Sequence, residues 1–207
     1  MKRGEQPAWF PLDDAEVMGD PFEMFSAWYD QATEIVREPE AICVATADAS
    51  GQPAARMVLL RNFDERGFVF HTNYESRKGH DIEENPKGAI LWFIEEMGRQ
   101  VRIEGSIEKI SAQESDAYFA RRNRGHQIGA HASAQSQPIE SRKALEARFL
   151  DTEAAFEGRG VPRPQYWGGY QLVPSHFEFW QQRPDRYHDR YFYERDGTSW
   201  RVQRHQP

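Results

Sequence analysis

Strand-like stretches dominate this chain, and no helix recurs at regular intervals between them. Residues 41–46 (AICVAT), 55–63 (ARMVLLRNF), 67–72 (GFVFHT), 88–93 (GAILWF) and 99–110 (RQVRIEGSIEKI) are apolar or alternating runs, the patterns of buried and half-buried strands. Turn-rich links join the first three, which are read as a meander. The C-terminal part adds WGGYQLVP, HFEFW and HDRYFYERDGTSWRVQRH, and the Asp196-Gly197 pair in the last signals a two-residue hairpin turn. The strands and the few helices show no regular βαβ alternation, and doubly wound folds are disfavoured. The pattern predicts an α+β fold: a predominantly antiparallel sheet closed into a barrel, with flanking helices.

The helices announce themselves by their caps. Asp20-Pro21-Phe22-Glu23 supplies an N-cap, a proline at the first helical position and a capping-box glutamate, opening an amphipathic run to about Ile35. Ser76 to Asn85 reads as a helix stopped by Pro86, since the residue before a proline avoids helical geometry. Ser111 and Glu114 form a second capping box for a helix to about Arg122, and Ser141 to Phe156 is a third helical pattern ending near Gly158. Between these two, the stretch RNRGHQIGAHASAQSQPIE is read as an ordered loop.

Composition narrows the kind of ligand. A net charge of −7 lacks the broad basic face that phosphate backbones demand, so nucleic acid is not expected as a partner. Local basic clusters are then small anion sites. No apolar run approaches the roughly 20 residues that span a bilayer, and the first residues lack a signal-peptide core, so a cytoplasmic protein without a membrane partner is expected. The single cysteine, Cys43, rules out an internal disulfide and reads as a small core residue. The seven histidines show no H-E-x-x-H spacing, and no metal centre is expected. Neither G-x-G-x-x-G nor G-x-x-x-x-G-K-[ST] occurs, so a bound phosphate must be held by side chains.

Three clusters qualify. Ser76-Arg77-Lys78 lies at a predicted helix N-terminus, where two cations are unfavourable unless an anion joins them. Arg56 and Arg61 share one strand at an odd spacing, which regular pleating sends to opposite faces. Tyr118, Arg121, Arg122, Arg124 and His126 end a helix and enter the following loop; helix-end cations also have a purely structural explanation. In Arg186-Tyr187-His188-Asp189-Arg190, strand alternation would place Arg186, His188 and Arg190 on one face, near Trp180, which offers a flat stacking surface. The bland alternatives are solvated surface cations, with Arg186 paired to Asp185 or Asp189 and His188 packed in the hairpin. Residues and spacing alone point to a phosphorylated, aromatic ligand.

At these positions the chain resembles the pyridoxamine 5'-phosphate oxidase family. The matching stretches run in order from Pro21 to Pro207: Arg56-Met57-Val58-Leu59-Leu60-Arg61, Thr72-Asn73, Ser76-Arg77-Lys78, Arg99-Gln100-Val101, Tyr118-Phe119, Gln127-Ile128-Gly129-Ala130, Gln135-Ser136, Trp167-Gly168-Gly169, Glu178-Phe179-Trp180 and Arg186 to Arg190. The resemblance implies a split β-barrel homodimer with FMN at the subunit interface. It further implies oxidation of pyridoxine or pyridoxamine 5'-phosphate to pyridoxal 5'-phosphate, with molecular oxygen reoxidising the flavin to leave hydrogen peroxide. Residues 21–207 would form this domain, leaving 1–20 as an N-terminal segment with scope for flexibility.

Carried over by position, Arg56, Arg77, Lys78, Gln135 and Ser136 would hold the FMN phosphate and ribityl chain. Gln100, Trp180 and Arg190 would border the flavin, with Val58, Leu59, Arg61, His71 and Thr72 completing its pocket. Tyr118, Arg122 and His126 would grip the substrate phosphate beside Arg61, and Arg186 and His188 would face the reactive end as the catalytic pair. The chain departs from the usual family residues at Arg61 (usually Lys), His71 (Tyr), His126 (Ser) and His131 (Trp), and residues 1–20 show no counterpart of the Arg-x-x-Tyr segment that closes over substrate in typical members. Similar flavoenzymes oxidise reduced tricyclic acids in phenazine biosynthesis, and other split barrels bind flavin or haem without catalysis. These are the two competing expectations.

Overall fold

The computed structural model describes residues 12–207. Eight strands make one antiparallel sheet: β1 (Ala41–Ala47), β2 (Pro53–Asp64), β3 (Gly67–Asn73), β4 (Lys87–Ile94), β5 (Arg99–Lys109), β6 (Trp167–Gln181), β7 (Asp189–Asp196) and β8 (Ser199–His205). Their order is β3-β2-β1-β4-β5-β6-β7-β8, and a further pairing of β3 with β6 closes the first six into a barrel. The last two strands extend the sheet beyond it. Alternation decides which side chains fill the interior: Ile42, Val44, Val101, Ile103, Phe177 and Phe179 are completely buried, while their sequence neighbours face outward.

Helix α1 (Pro21–Thr33) is capped by Asp20, whose carboxylate accepts the Phe22 N–H at 2.7 Å. It drives Met24, Phe25, Trp28 and Ala32 into the barrel core. Phe25 meets the edges of Phe63, Phe68 and Trp92 at ring separations of 4.9–5.5 Å, contacts worth about 0.5–1.5 kcal/mol each beyond their buried area. The remaining helices are α2 (Arg77–Glu84), α3 (Ala112–Arg121), α4 (Arg124–Ala132) and α5 (Arg142–Ala155). Phe119, Ile128 and Trp167 bring α3, α4 and the start of β6 together in a second, smaller core.

Three local expectations are corrected. The stretch read as a loop contains α4, whose N-cap Asn123 accepts the His126 N–H at 3.0 Å; the two glycines and two histidines in it hid an Ile128/Ala132 buried stripe of helical spacing. WGGYQLVP and HFEFW are one strand, β6, in which Ser175 is an extra residue where Glu104 pairs with His176 and Gly105 with Pro174. Pro174 cannot donate to the ladder, so the strand continues only through this bulge. Gly105 is required opposite it, because a Cβ there would lie 2.0 Å from the Val173 carbonyl oxygen. The last hairpin turns at Gly197-Thr198, Asp196 being paired with Ser199. In residues 12–20, Asp14 accepts from Tyr191 and Arg204, Tyr193 donates to the Met18 carbonyl at 2.8 Å, and Leu12 is buried. Residues 1–11, the rest of the segment expected to be flexible, lie outside the described residues.

Candidate active site

A cleft of about 380 Å³ opens beside β2 and β3, lined by Arg56, Met57, Val58, Leu59, Arg61, His71, Thr72, Lys78, Tyr118, Arg122, His126, Gln135 and Trp167. Eleven of the sequence-derived site residues therefore meet in one place. At one end, the buried Lys78 ammonium donates to Thr72 Oγ1 (3.0 Å), Ser76 Oγ (3.1 Å) and Gln135 Oε1 (2.8 Å). All three partners are neutral. Burial, reinforced by the nearby Arg56 charge and only partly offset by Asp81, pulls Lys78 down to about 8. Arg56 donates to Thr46 Oγ1 at 2.7 Å and to the Val44 carbonyl at 3.2 Å, with Asp81 at 3.6 Å. One carboxylate thus serves the buried Lys78 and the half-buried Arg56, and this end fits a terminal phosphate. Arg77 is exposed at the first position of α2 and is not part of the cleft wall, and Ser136, at φ 72°, is exposed beside Gln135. The helix N-terminus contributes Lys78 to this cation pair and leaves Arg77 in solvent.

The other end is a stack. The rings of Tyr118 and His71 lie 3.8 Å apart and 15° from parallel, Trp167 follows 5.4 Å from His71, and the Arg122 guanidinium covers Trp167 at 4.4 Å. Arg122 Nη1 and both His71 ring nitrogens are buried without a hydrogen-bond partner. Burial first, then the Arg122, Arg61 and Arg121 charges, push His71 down to about 4. The odd spacing of Arg56 and Arg61 does not keep them apart, because residues from both faces of β2, Met57 and Leu59 as well as Arg56 and Val58, line the cleft; Arg61 itself is the extra residue where the register of β2 on β3 shifts between Leu60 and Asn62. Arg124, by contrast, is structural: it donates to the Phe156 and Arg159 carbonyls and caps α5. His131 bonds the Pro162 carbonyl at 2.7 Å away from the cleft.

The remaining candidates form a second group. Gln100, Trp180 and Arg190 are register partners across β5, β6 and β7, a continuous row on the outer face of the sheet. Buried Glu178, which sequence reasoning passed over, anchors this row by pairing with Arg190 and with Arg102 at 2.8 Å; its i, i+2 relation to Trp180 was the available signal. Arg186 and His188 do not alternate on a strand as expected, because β7 begins only at Asp189. They belong to a tight turn in which Asp185 and Arg186 both take positive φ, 56° and 62°. His188 accepts the Arg183 N–H at 3.1 Å and lies 4.5 Å from the Trp180 ring. Asp189 is engaged by Arg183 and Arg204, so Arg186 is not its ion-pair partner.

These two groups occupy opposite ends of β6. Trp167 in the cleft and Trp180 in the outer row are thirteen residues apart on that strand, which at ~3.3 Å per residue spans up to roughly 40 Å. The lining of the cleft includes none of Gln100, Trp180, Arg186, His188 and Arg190.

The family model described as pyridoxamine 5'-phosphate oxidase matches residues 29–155, and that of the pyridoxine 5'-phosphate oxidase C-terminal dimerisation region matches residues 167–207. The chain belongs to the pyridoxamine 5'-phosphate oxidase family. Both groups of candidate residues fall within the matched ranges. It is 54% identical to a pyridoxine/pyridoxamine 5'-phosphate oxidase of Bordetella petrii over 95% of this chain and 93% of that protein. A protein of the same name from Rubrobacter xylanophilus is 53% identical over 91% of this chain and 87% of its own length. Among solved structures, PhzG from Burkholderia lata in complex with tetrahydrophenazine-1-carboxylic acid superposes with a TM-score of 0.89 at 32% identity, covering 96% of this chain and 99% of that one. No helix among the described residues is long and apolar enough to cross a membrane.

Proposed function

We propose that this chain is an FMN-dependent oxidase that converts pyridoxine or pyridoxamine 5'-phosphate to pyridoxal 5'-phosphate, with molecular oxygen as acceptor and hydrogen peroxide as product. The observation that carries this reading is the separation of cations within one cleft: Arg56 and Lys78 at one end, Arg61 and Arg122 with His126 at the other. Two phosphates have two places to sit. The first group suits the terminal phosphate of FMN, with Thr72, Gln135 and Ser136 along its chain and Val58 and Leu59 completing the wall. The second suits the phosphate of a substrate, gripped by Tyr118, Arg122 and His126 beside Arg61, since each charge-assisted contact to a dianion is worth about 1.5–3 kcal/mol. Arg77, next to Lys78 at the start of α2, is assigned to the FMN phosphate.

FMN, when bound, supplies the hydride acceptor. The chain supplies alignment and charge. We assign Gln100, Trp180 and Arg190 of a second copy to the border of the flavin, and Arg186 and His188 of that copy to the reactive end of the substrate, where His188 can exchange a proton at Nε2 while Nδ1 is held by the Arg183 N–H. The homodimer this requires is supported by the matched dimerisation region and by an outward apolar face on β2 and β4, where Met57, Leu59 and Phe93 are 65%, 38% and 49% exposed; apolar side chains gathered on a sheet surface call for a partner. A single unpaired cysteine suits the cytoplasm.

The phenazine-type reading has the solved PhzG complex in its favour. Its ligand is a carboxylic acid, which asks for one anion-binding group beyond the flavin site and no dianion. Anaerobic mixing decides between them: pyridoxine 5'-phosphate should bleach the bound flavin, and air should restore it, with unphosphorylated pyridoxine far poorer. Equal specificity constants for the two vitamers, or bleaching only by a reduced phenazine acid, would overturn the assignment.

A further inference from the structure

His71 is the member of the cleft whose side-chain polar atoms are all buried and all without a hydrogen-bond partner. A neutral imidazole carries one donor and one acceptor, and folds rarely leave both unmade. The ring is not free to turn toward solvent. Tyr118 and Trp167 hold it in a near-parallel stack, and Gly169, its register partner on β6, leaves it room: a Cβ there would lie 3.1 Å from Nε2. A phenylalanine would fill the same slot with no polar cost, so packing alone does not account for a histidine. The charged groups that face it are Arg61 from β2, Arg121 from α3 and Arg122 at the C-cap of α3, with the Tyr118 phenol beside them. Arg122 Nη1 is itself without a partner. Unsatisfied donors and uncompensated cations thus converge from two elements on one spot.

We propose that His71 is a ligand of the substrate's phosphate group, and so a specificity-determining residue of this cleft, and not part of the flavin pocket. This rests on the oxidase reading above. An arriving phosphate offers acceptors to the ring N–H and to Arg122 together, and its negative charge offsets both the burial and the arginine repulsion that keep the imidazole neutral. Binding then draws a proton from solvent onto the second ring nitrogen, making both nitrogens donors. A tyrosine at this position offers one hydroxyl and no titration near neutral pH.

His71→Phe keeps the stack and removes the nitrogens. The KM for pyridoxine 5'-phosphate should rise about tenfold or more, as for loss of a hydrogen bond to a charged group, with kcat and the FMN dissociation constant unchanged. By calorimetry, the affinity of the FMN-loaded protein for inorganic phosphate should fall in parallel, and the proton uptake seen by comparing two buffers of different ionisation enthalpy near pH 6.5 should shrink. His71→Gln, which retains an N–H donor, should recover part of the phosphate affinity. Unchanged KM and phosphate affinity in His71→Phe would overturn the proposal, as would weakened FMN binding with KM untouched. If the wild type binds phosphate through His71 yet does not oxidise the ester, the oxidase reading fails and this assignment stands; if it oxidises the ester and His71→Phe is indifferent, the reverse holds.

Discussion

Lys78 concentrates the conflict between stability and binding in a single side chain. Its ammonium is buried among neutral acceptors and held down to about 8, below the ordinary lysine value near 10.4. Between those two values the unfolded chain binds more protons than the folded one, so the stability of the flavin-free protein should rise as pH climbs from about 8 toward 10.4. A bound phosphate reverses the preference by favouring the charged form. FMN affinity should therefore weaken above pH 8, the opposite trend. Lys78→Met should remove both effects: a higher melting temperature without flavin at pH 7, a flatter alkaline profile, and FMN binding weaker by about tenfold or more. Thermal melts and flavin-fluorescence titrations at pH 7 and 9 check this, and a variant that loses stability at pH 7 without flavin would contradict it.

At the scale of elements, strands and caps were legible because they are local. Alternation marked β1 to β5, and Asp20, Ser111 and Ser141 marked helix starts that the structure retains as N-caps. What escaped was non-local or masked by composition. The bulge at Arg61 arises from pairing with β3, which no spacing within β2 reveals, and α4 hid behind glycines and histidines. The motif residues of the cleft were found by resemblance, while Glu178 and the Trp167 stack needed the fold to show what they touch. The turn at Pro184–Arg186 is the sharpest case, since alternation read it as strand. Its two successive non-glycine residues at positive φ cost about 1–3 kcal/mol each unless the surroundings compensate. Strain of this kind is retained where a side chain must be presented. Arg186→Gly should therefore match or exceed the wild type in thermal stability, by about 2–4 °C for each kcal/mol relieved, while substrate-driven flavin reduction slows in stopped-flow measurements. A clear loss of stability would show that the guanidinium is structural.

For the whole molecule, β6 carries the two groups of candidate site residues at its opposite ends. In a symmetric dimer each site would take its cleft from one subunit and its outer row from the other. That makes functional complementation a direct test. Arg122→Ala should inactivate through the cleft half, and Arg190→Ala through the row half, leaving each homodimer with two defective sites. A mixed dimer places both lesions in one site and leaves the other intact. Co-refolding equal amounts of the two inactive variants should then restore about a quarter of wild-type activity, because half the dimers are mixed and each holds one good site in two. A site built within one subunit would place the lesions in different sites, and mixing would restore nothing. Cross-linked heterodimers purified with two different tags should show half a wild-type complement of tightly bound FMN, and a mixture that stays inactive after verified exchange of subunits would refute the shared site.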